Sequence, residues 1–178
     1  MDGRIMHVGA PIMVNSFDPT FRVGASPSYY GLASRLIGLL FSRLTSSCNA
    51  YTSDTRVHIS ITRSYTYPDV VIVRGKSEYL DSVASIPLLT NPTVIIEVLS
   101  ESTANYDRMG KFMCYRSIET LREYMLIDSR QMAGKVSARH ETSWSYTSAN
   151  EAGDSLVLAS VSVRLGLAEL YAGILGEA

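Results

Sequence analysis

Hydrophobic positions along the chain follow two periodicities, and the stretches that carry them alternate. From Tyr29 to Leu44 apolar side chains recur at steps of three and four (Tyr29, Leu32, Ala33, Leu36, Ile37, Leu40, Phe41, Leu44), the spacing of one broad helix face. Ser26-Pro27 stands just ahead of it, a side-chain cap followed by proline at the first helical position, so a helix is expected from there to about Thr45. The pattern then changes. Asp54–Ile61 alternates apolar and polar residues and reads as a half-buried strand. Val70–Val73 and Thr93–Leu99 are runs of β-branched and aliphatic residues and read as buried strands, with Pro68 suited to a strand entrance. Residues 74–91 contain Gly75, Lys76, Pro87 and Asn91 and predict a long connection with a helical turn around Tyr79–Ala84. Behind the capping cluster Ser100–Thr103, helical spacing returns at Tyr106, Met109, Phe112, Met113 and Ile118, which predicts a second helix from about Asn105.

Glu123–Ile127 reads as a fourth strand, and Lys135–Ala138 with Ser143–Tyr146 as a hairpin that continues the sheet. Leu156–Leu158 and Val161–Val163 read as short strands, Leu165–Leu175 as a closing helix, and Ile5–Val8, Pro11–Val14 and Phe21–Val23 as short strands ahead of the first helix. The order predicts an α+β (mixed α/β) fold, a central mixed sheet flanked by helices with accessory β-hairpins. The expected layout is a single domain with an N-terminal β segment at 1–24, a core at 25–128, and accessory strands with the closing helix at 129–178.

Composition narrows the function classes. The chain has 178 residues, 46% of them apolar and 19% charged, so it can bury a sizeable core in one domain. A net charge of −1 provides no global basic field for non-specific nucleic-acid binding, although a local groove can still be positive. Cys48 and Cys114 are the only cysteines and form no metal-binding or disulfide pattern; Cys114, within the expected second helix, reads as a buried free thiol. The stretch behind Met1-Asp-Gly-Arg does not read as a signal peptide, and Leu36–Leu40 is far too short to span a bilayer, so a soluble, cytoplasmic protein with no membrane partner is expected. Neither a Gly-rich dinucleotide loop nor a phosphate-binding P-loop is present.

The candidate chemistry lies in the two apolar runs. Each carries one carboxylate: Asp69 precedes Val70–Val73, and Glu97 interrupts Val94–Leu99. A lone buried carboxylate is costly and needs a partner. Two acids on neighbouring strands repel each other, and a divalent cation relieves that repulsion. Mg²⁺ keeps several waters and is anchored by few protein oxygens, so two acids suffice, and a nearby lysine such as Lys111 would complete a hydrolytic set. Each residue also has a structural reading. Asp69 after Pro68 fits a turn acceptor, Lys111 fits a solvated helix lysine, and Asp54 fits either a third acid at the site or a strand-entry cap. Tyr115, one helical turn beyond Lys111, is placed to support it; Arg35 and Arg43 read as solvated or as phosphate contacts, and His7 as a surface residue.

The order of helix, three strands, helix and strand, with Pro68-Asp69 on the second strand and Glu97 on the third, resembles the core of the PD-(D/E)xK nuclease superfamily. The series Tyr51–Val57, Tyr67–Val73, Pro92–Ser100, Ser102-Thr103, Tyr106-Asp107-Arg108, Gly110-Lys111-Phe112, Tyr115-Arg116 and Leu121–Asp128 is similar to the Uma-two type family of restriction endonucleases, and Leu165–Tyr171 is similar to its closing segment. The resemblance runs from about Ala25 to the C-terminus. It implies a restriction endonuclease-like fold and a Mg²⁺- or Mn²⁺-dependent endonuclease acting on DNA, with a homodimer suited to two-fold DNA. It also implies Asp69, Glu97 and the carbonyl of Val98 as metal ligands and Lys111 as the catalytic lysine, moved to the following helix because Leu99 stands where the superfamily usually has lysine. This chain departs from the family in having no glutamate before Glu78 and in having Tyr29 where the family tends to histidine. The other function class left open is a nuclease-fold protein that binds nucleic acid or protein without cleaving.

Overall fold

The computed structural model describes residues 26–80, 86–100 and 111–176. The strands expected before Ser26, His7, Asp107 and the start of the second helix lie outside those residues. The first helix, α1 (Pro27–Arg43), begins where its sequence signals place it, with Ser26 Oγ accepting from the Tyr29 amide at 3.2 Å. Leu32, Leu36 and Leu40 are its buried stripe, whereas Phe41, counted above on the apolar face, points to solvent. Arg43, read as solvated or phosphate-binding, instead pairs with Glu169 and donates to the Arg164 carbonyl at 2.7 Å, tying the helix to the C-terminal segment.

The strands in chain order are β1 (Cys48–Thr52), β2 (Val57–Ile59), β3 (Ser64–Thr66), β4 (Val70–Arg74), β5 (Tyr79–Leu80), β6 (Leu88–Leu89), β7 (Val94–Leu99), β8 (Glu123–Asp128), β9 (Gly134–His140), β10 (Ser143–Ala149), β11 (Ser155–Leu158) and β12 (Val163–Gly166). Six form the main sheet in the order β1-β4-β7-β8-β9-β10. All its neighbours are antiparallel except β7 and β8, which run parallel from Val94↔Glu123 to Leu99↔Asp128. A parallel pair needs a crossover, and the crossover here contains α2 (Phe112–Tyr115).

Several expectations need correction. The sheet's first strand is β1, just past the expected end of the first helix in a stretch given no strand of its own; its polar composition hides it, and pairing with the apolar β4 makes it a strand. The segment read as that strand, Asp54–Ile61, contributes only β2, which belongs to a separate small sheet in the order β3-β2-β6-β5. Tyr79-Leu80, expected in a helical turn, is strand β5. Ile118 lies beyond the short α2, and Met113 on it is exposed. Cys114 is a free thiol but only half-buried. Leu165 closes the β11–β12 hairpin rather than opening a helix, and α3 is confined to Leu167–Leu170.

Strand alternation gives the main sheet two apolar faces. Val70, Ile72, Val94, Ile96, Val98, Met125 and Ile127 pack under α1, α3 and the β11–β12 hairpin. Val71, Val73, Ile95, Leu99, Tyr124 and Leu126 pack under the small sheet and α2. The candidate chemistry lies on the second face. Among the described residues no helix is long and apolar enough to cross a membrane.

Candidate functional site

Extending the Val71↔Ile95 and Val70↔Ile96 register by one residue sets Asp69 opposite Glu97. Residues directly opposite on antiparallel strands share a face, so the pleat brings the two acids to the same side of the sheet. A hydrogen bond strengthens this placement: the Val98 amide donates to Asp69 Oδ2 at 2.8 Å, fixing Asp69 to the peptide that follows Glu97. The other Asp69 oxygen accepts from Tyr29 Oη at 2.5 Å, so the first turn of α1 reaches the mouth of β4.

Glu97 is 2% exposed, set between Ile95 and Leu99. Its Oε1 accepts from Lys111 Nζ at 3.1 Å and from Tyr115 Oη at 2.8 Å. The Lys111 side chain is itself only 10% exposed, so this is a buried ion pair supported by a second donor. Lys111 and Tyr115 lie four residues apart at the start and end of α2, which puts both over the same sheet position. Tyr115 also exchanges a hydrogen bond with Thr66 Oγ1 at 3.1 Å. Burial, and then the neighbouring Glu97 charge, push the Tyr115 phenol well above its ordinary range, so it stays a donor at all working pH values.

The remaining candidates divide. Val98 is central through its amide. Asp54 sits exposed in the turn after β1, where its side chain joins no part of this network. Two contacts were not visible from sequence reasoning. Tyr29 was noted as a departure from a family pattern but not as a partner of Asp69, and its signal is its place three residues after the cap, on the helix turn nearest the strand entrance. Thr66 gave no signal at all, because its partner Tyr115 is distant in sequence.

The donor set is suited to a hard divalent cation. The groups at hand are carboxylate and carbonyl oxygens, which Mg²⁺ and Mn²⁺ take, and among the described residues no Cys or His bonds to Asp69 or Glu97. A carboxylate oxygen has room for more than one partner, so the bonds from Tyr29 and Val98 position Asp69 without exhausting it. Among the described residues no group of three or more His, Cys, Asp or Glu side chains gathers as a metal cluster, so anchoring would rest on this pair of acids.

A family model named Uma2 and described as "Putative restriction endonuclease" matches residues 24–168. A Synechocystis sp. protein named "Uncharacterized protein slr1290" is 28% identical over 152 residues, covering 85% of this chain and 78% of that protein. A second Synechocystis protein, "Uncharacterized protein sll1609", is 44% identical over 78 residues, 44% of this chain and 43% of that protein's length.

Proposed function

The chain belongs to the Uma2 family, and from that premise we propose that it is a Mg²⁺- or Mn²⁺-dependent endonuclease of restriction endonuclease-like fold that hydrolyses DNA phosphodiester bonds. The observation that carries this reading is the meeting of Asp69, Glu97 and Lys111 at one sheet position, although they come from two strands and a crossover.

Asp69 and Glu97, with the Val98 carbonyl, would hold the cation, which when bound supplies an acidified water and polarises a phosphoryl oxygen. The rest is done by the chain. Val98 N–H and Tyr29 Oη fix the Asp69 carboxylate, so it need not reorganise on binding. Lys111 holds a positive charge against Glu97 in a nearly dry setting, where it is placed to meet charge that develops on phosphoryl oxygens. Tyr115, donating to the same Glu97 oxygen as Lys111, holds the orientation of that carboxylate.

A second reading, a nuclease-fold protein that binds without cleaving, draws on the protein donors already on both Asp69 oxygens. Incubating supercoiled DNA with the protein and Mg²⁺ separates the two. The hydrolytic reading predicts metal-dependent nicking that Glu97→Gln abolishes and Lys111→Ala lowers by about a hundredfold or more. Supercoiled and single-stranded circular DNA both left intact by the wild-type protein under Mg²⁺ and Mn²⁺ alike would leave only the binding reading.

A further inference from the structure

Beside the acid pair, where β7 and β8 end, the sheet face opens into a cavity of about 480 Å³ lined by Leu99, Leu126, Asp128, Ala133, Gly134, Lys135, Ser148, Ala149 and Asn150. Its position follows from register. Leu126 pairs with Glu97 on one side and Lys135 on the other, and Lys135 pairs with Ser148, so one row of the sheet runs from the acids into the cavity. At about 4.8 Å between strands, Lys135 stands about 10 Å from Glu97.

The lining is chemically divided. Leu99, Leu126, Ala133 and Ala149 form an apolar floor. Asp128 is an anion in the lining, but its charge is balanced by Arg130, which grips it at 2.9 and 2.7 Å through two guanidinium nitrogens. Three polar groups converge with no hydrogen bond or ion pair of their own among the described residues: the Lys135 ammonium, the Ser148 hydroxyl and the Asn150 side-chain amide. Lys135 instead lies over the ring of Tyr146, 4.0 Å from its centroid, and that ring is 69% exposed. A cavity with an apolar floor, a few converging polar groups and an unpaired cation matches a small anionic, partly apolar ligand. An exposed aromatic ring beside it is the platform on which an unpaired base stacks.

We propose that this cavity holds one unpaired nucleotide of the substrate strand, its phosphate on Lys135, its base on the apolar floor with Asn150 at its edge, and the neighbouring base against Tyr146. The inference rests on the hydrolytic reading and adds a substrate class to it. A base seated in a concave site cannot remain stacked in a duplex, so the preferred substrate is single-stranded, or locally unpaired, rather than continuous double helix.

Fluorescence anisotropy with labelled oligothymidine, and with the same strand annealed to oligoadenine, tests this in EDTA so that no strand is cut. The single strand is expected to bind the wild-type protein about tenfold or more tighter than the duplex. Lys135→Glu, and independently Ser148→Glu at an exposed site away from the core, should each weaken single-strand binding about tenfold or more, with Lys135→Arg retaining most of it. Equal or tighter duplex binding, or single-strand binding indifferent to both glutamate variants, overturns the cavity assignment. If Glu97→Gln still abolishes nicking in that event, the hydrolytic reading stands without it. Absence of both DNA binding and nicking in the wild type removes both.

Discussion

Glu97, Glu123 and Asp128 are all buried carboxylates, and each is compensated differently. Glu123 accepts from the amides of Ala159 and Ser160 at 2.6 and 3.2 Å and from the Ser160 hydroxyl, which makes it a brace between β8 and the turn before β12. Asp128 has its arginine. Glu97 alone of the three takes a lysine ammonium and a buried phenol, and it alone faces a second acid across the strand pair. Replacing Tyr115 with Phe removes one charge-assisted bond to Glu97 and should cost about 2 kcal/mol of stability in urea unfolding; a loss within error would mean the bond carries no weight. Asp128 makes a separate prediction through pH. Burial alone would raise its carboxyl, but the bonds from Arg130, side chain and amide together, outweigh that and hold it below the usual range. A depressed folded-state value stabilises above the unfolded value near 4 and is lost as pH falls through the folded value. Arg130→Leu should therefore lose about 1 kcal/mol at neutral pH, a modest figure because the guanidinium is partly exposed. At a pH below the folded-state value, where Asp128 is protonated in both states, it should lose little; an equal loss at both pH values would contradict the charge account. Sequence reading found Glu97 because an acid interrupting β-branched residues stands out. It assigned nothing to Glu123, whose partners lie far along the chain and leave no local trace.

Elements were legible in proportion to how locally they are determined. The cap, the proline and the leucine stripe sufficed for α1, and apolar runs, interrupted in β7 only by Glu97, sufficed for β4 and β7. The strand β1 was not legible, because Cys-Asn-Ala-Tyr-Thr acquires its extended form from β4 rather than from its own propensities. The small sheet was misplaced for a related reason: β5 and β6 are two residues each, too short to carry a period. Between β8 and β9 one residue type is dictated by packing. A Cβ at Gly134 would meet the Leu156 Cδ1 atom at 2.5 Å and the Leu126 carbonyl at 3.3 Å. Leu156 is buried in the first core and the carbonyl is backbone, so neither yields easily. Gly134→Ala should cost about 1–3 kcal/mol in thermal or urea unfolding, and an unchanged midpoint would show that the β11–β12 hairpin shifts freely.

At the scale of the molecule, a sheet buried on both faces divides the work. One face, under α1 and the C-terminal hairpin, is apolar except for Glu123, which braces that hairpin; the other carries Asp69, Glu97, Lys111 and the cavity. Tyr29 links the two, as a residue of the helix on the first face whose hydroxyl holds an acid of the second. The architecture was legible because the order of periods along the chain implies a central sheet flanked by helices. The two strand-borne acids stand out in the apolar runs themselves, whereas no local pattern says which way a crossover will fold back to set Lys111 on Glu97. Metal-dependent hydrolysis requires those groups to form one cation site. Isothermal titration of Mn²⁺ into the wild-type protein and into Asp69→Ala measures this most directly: a single binding event in the wild type, lost in the variant, is the predicted result, and either no heat of binding in the wild type or unchanged binding in the variant would contradict it.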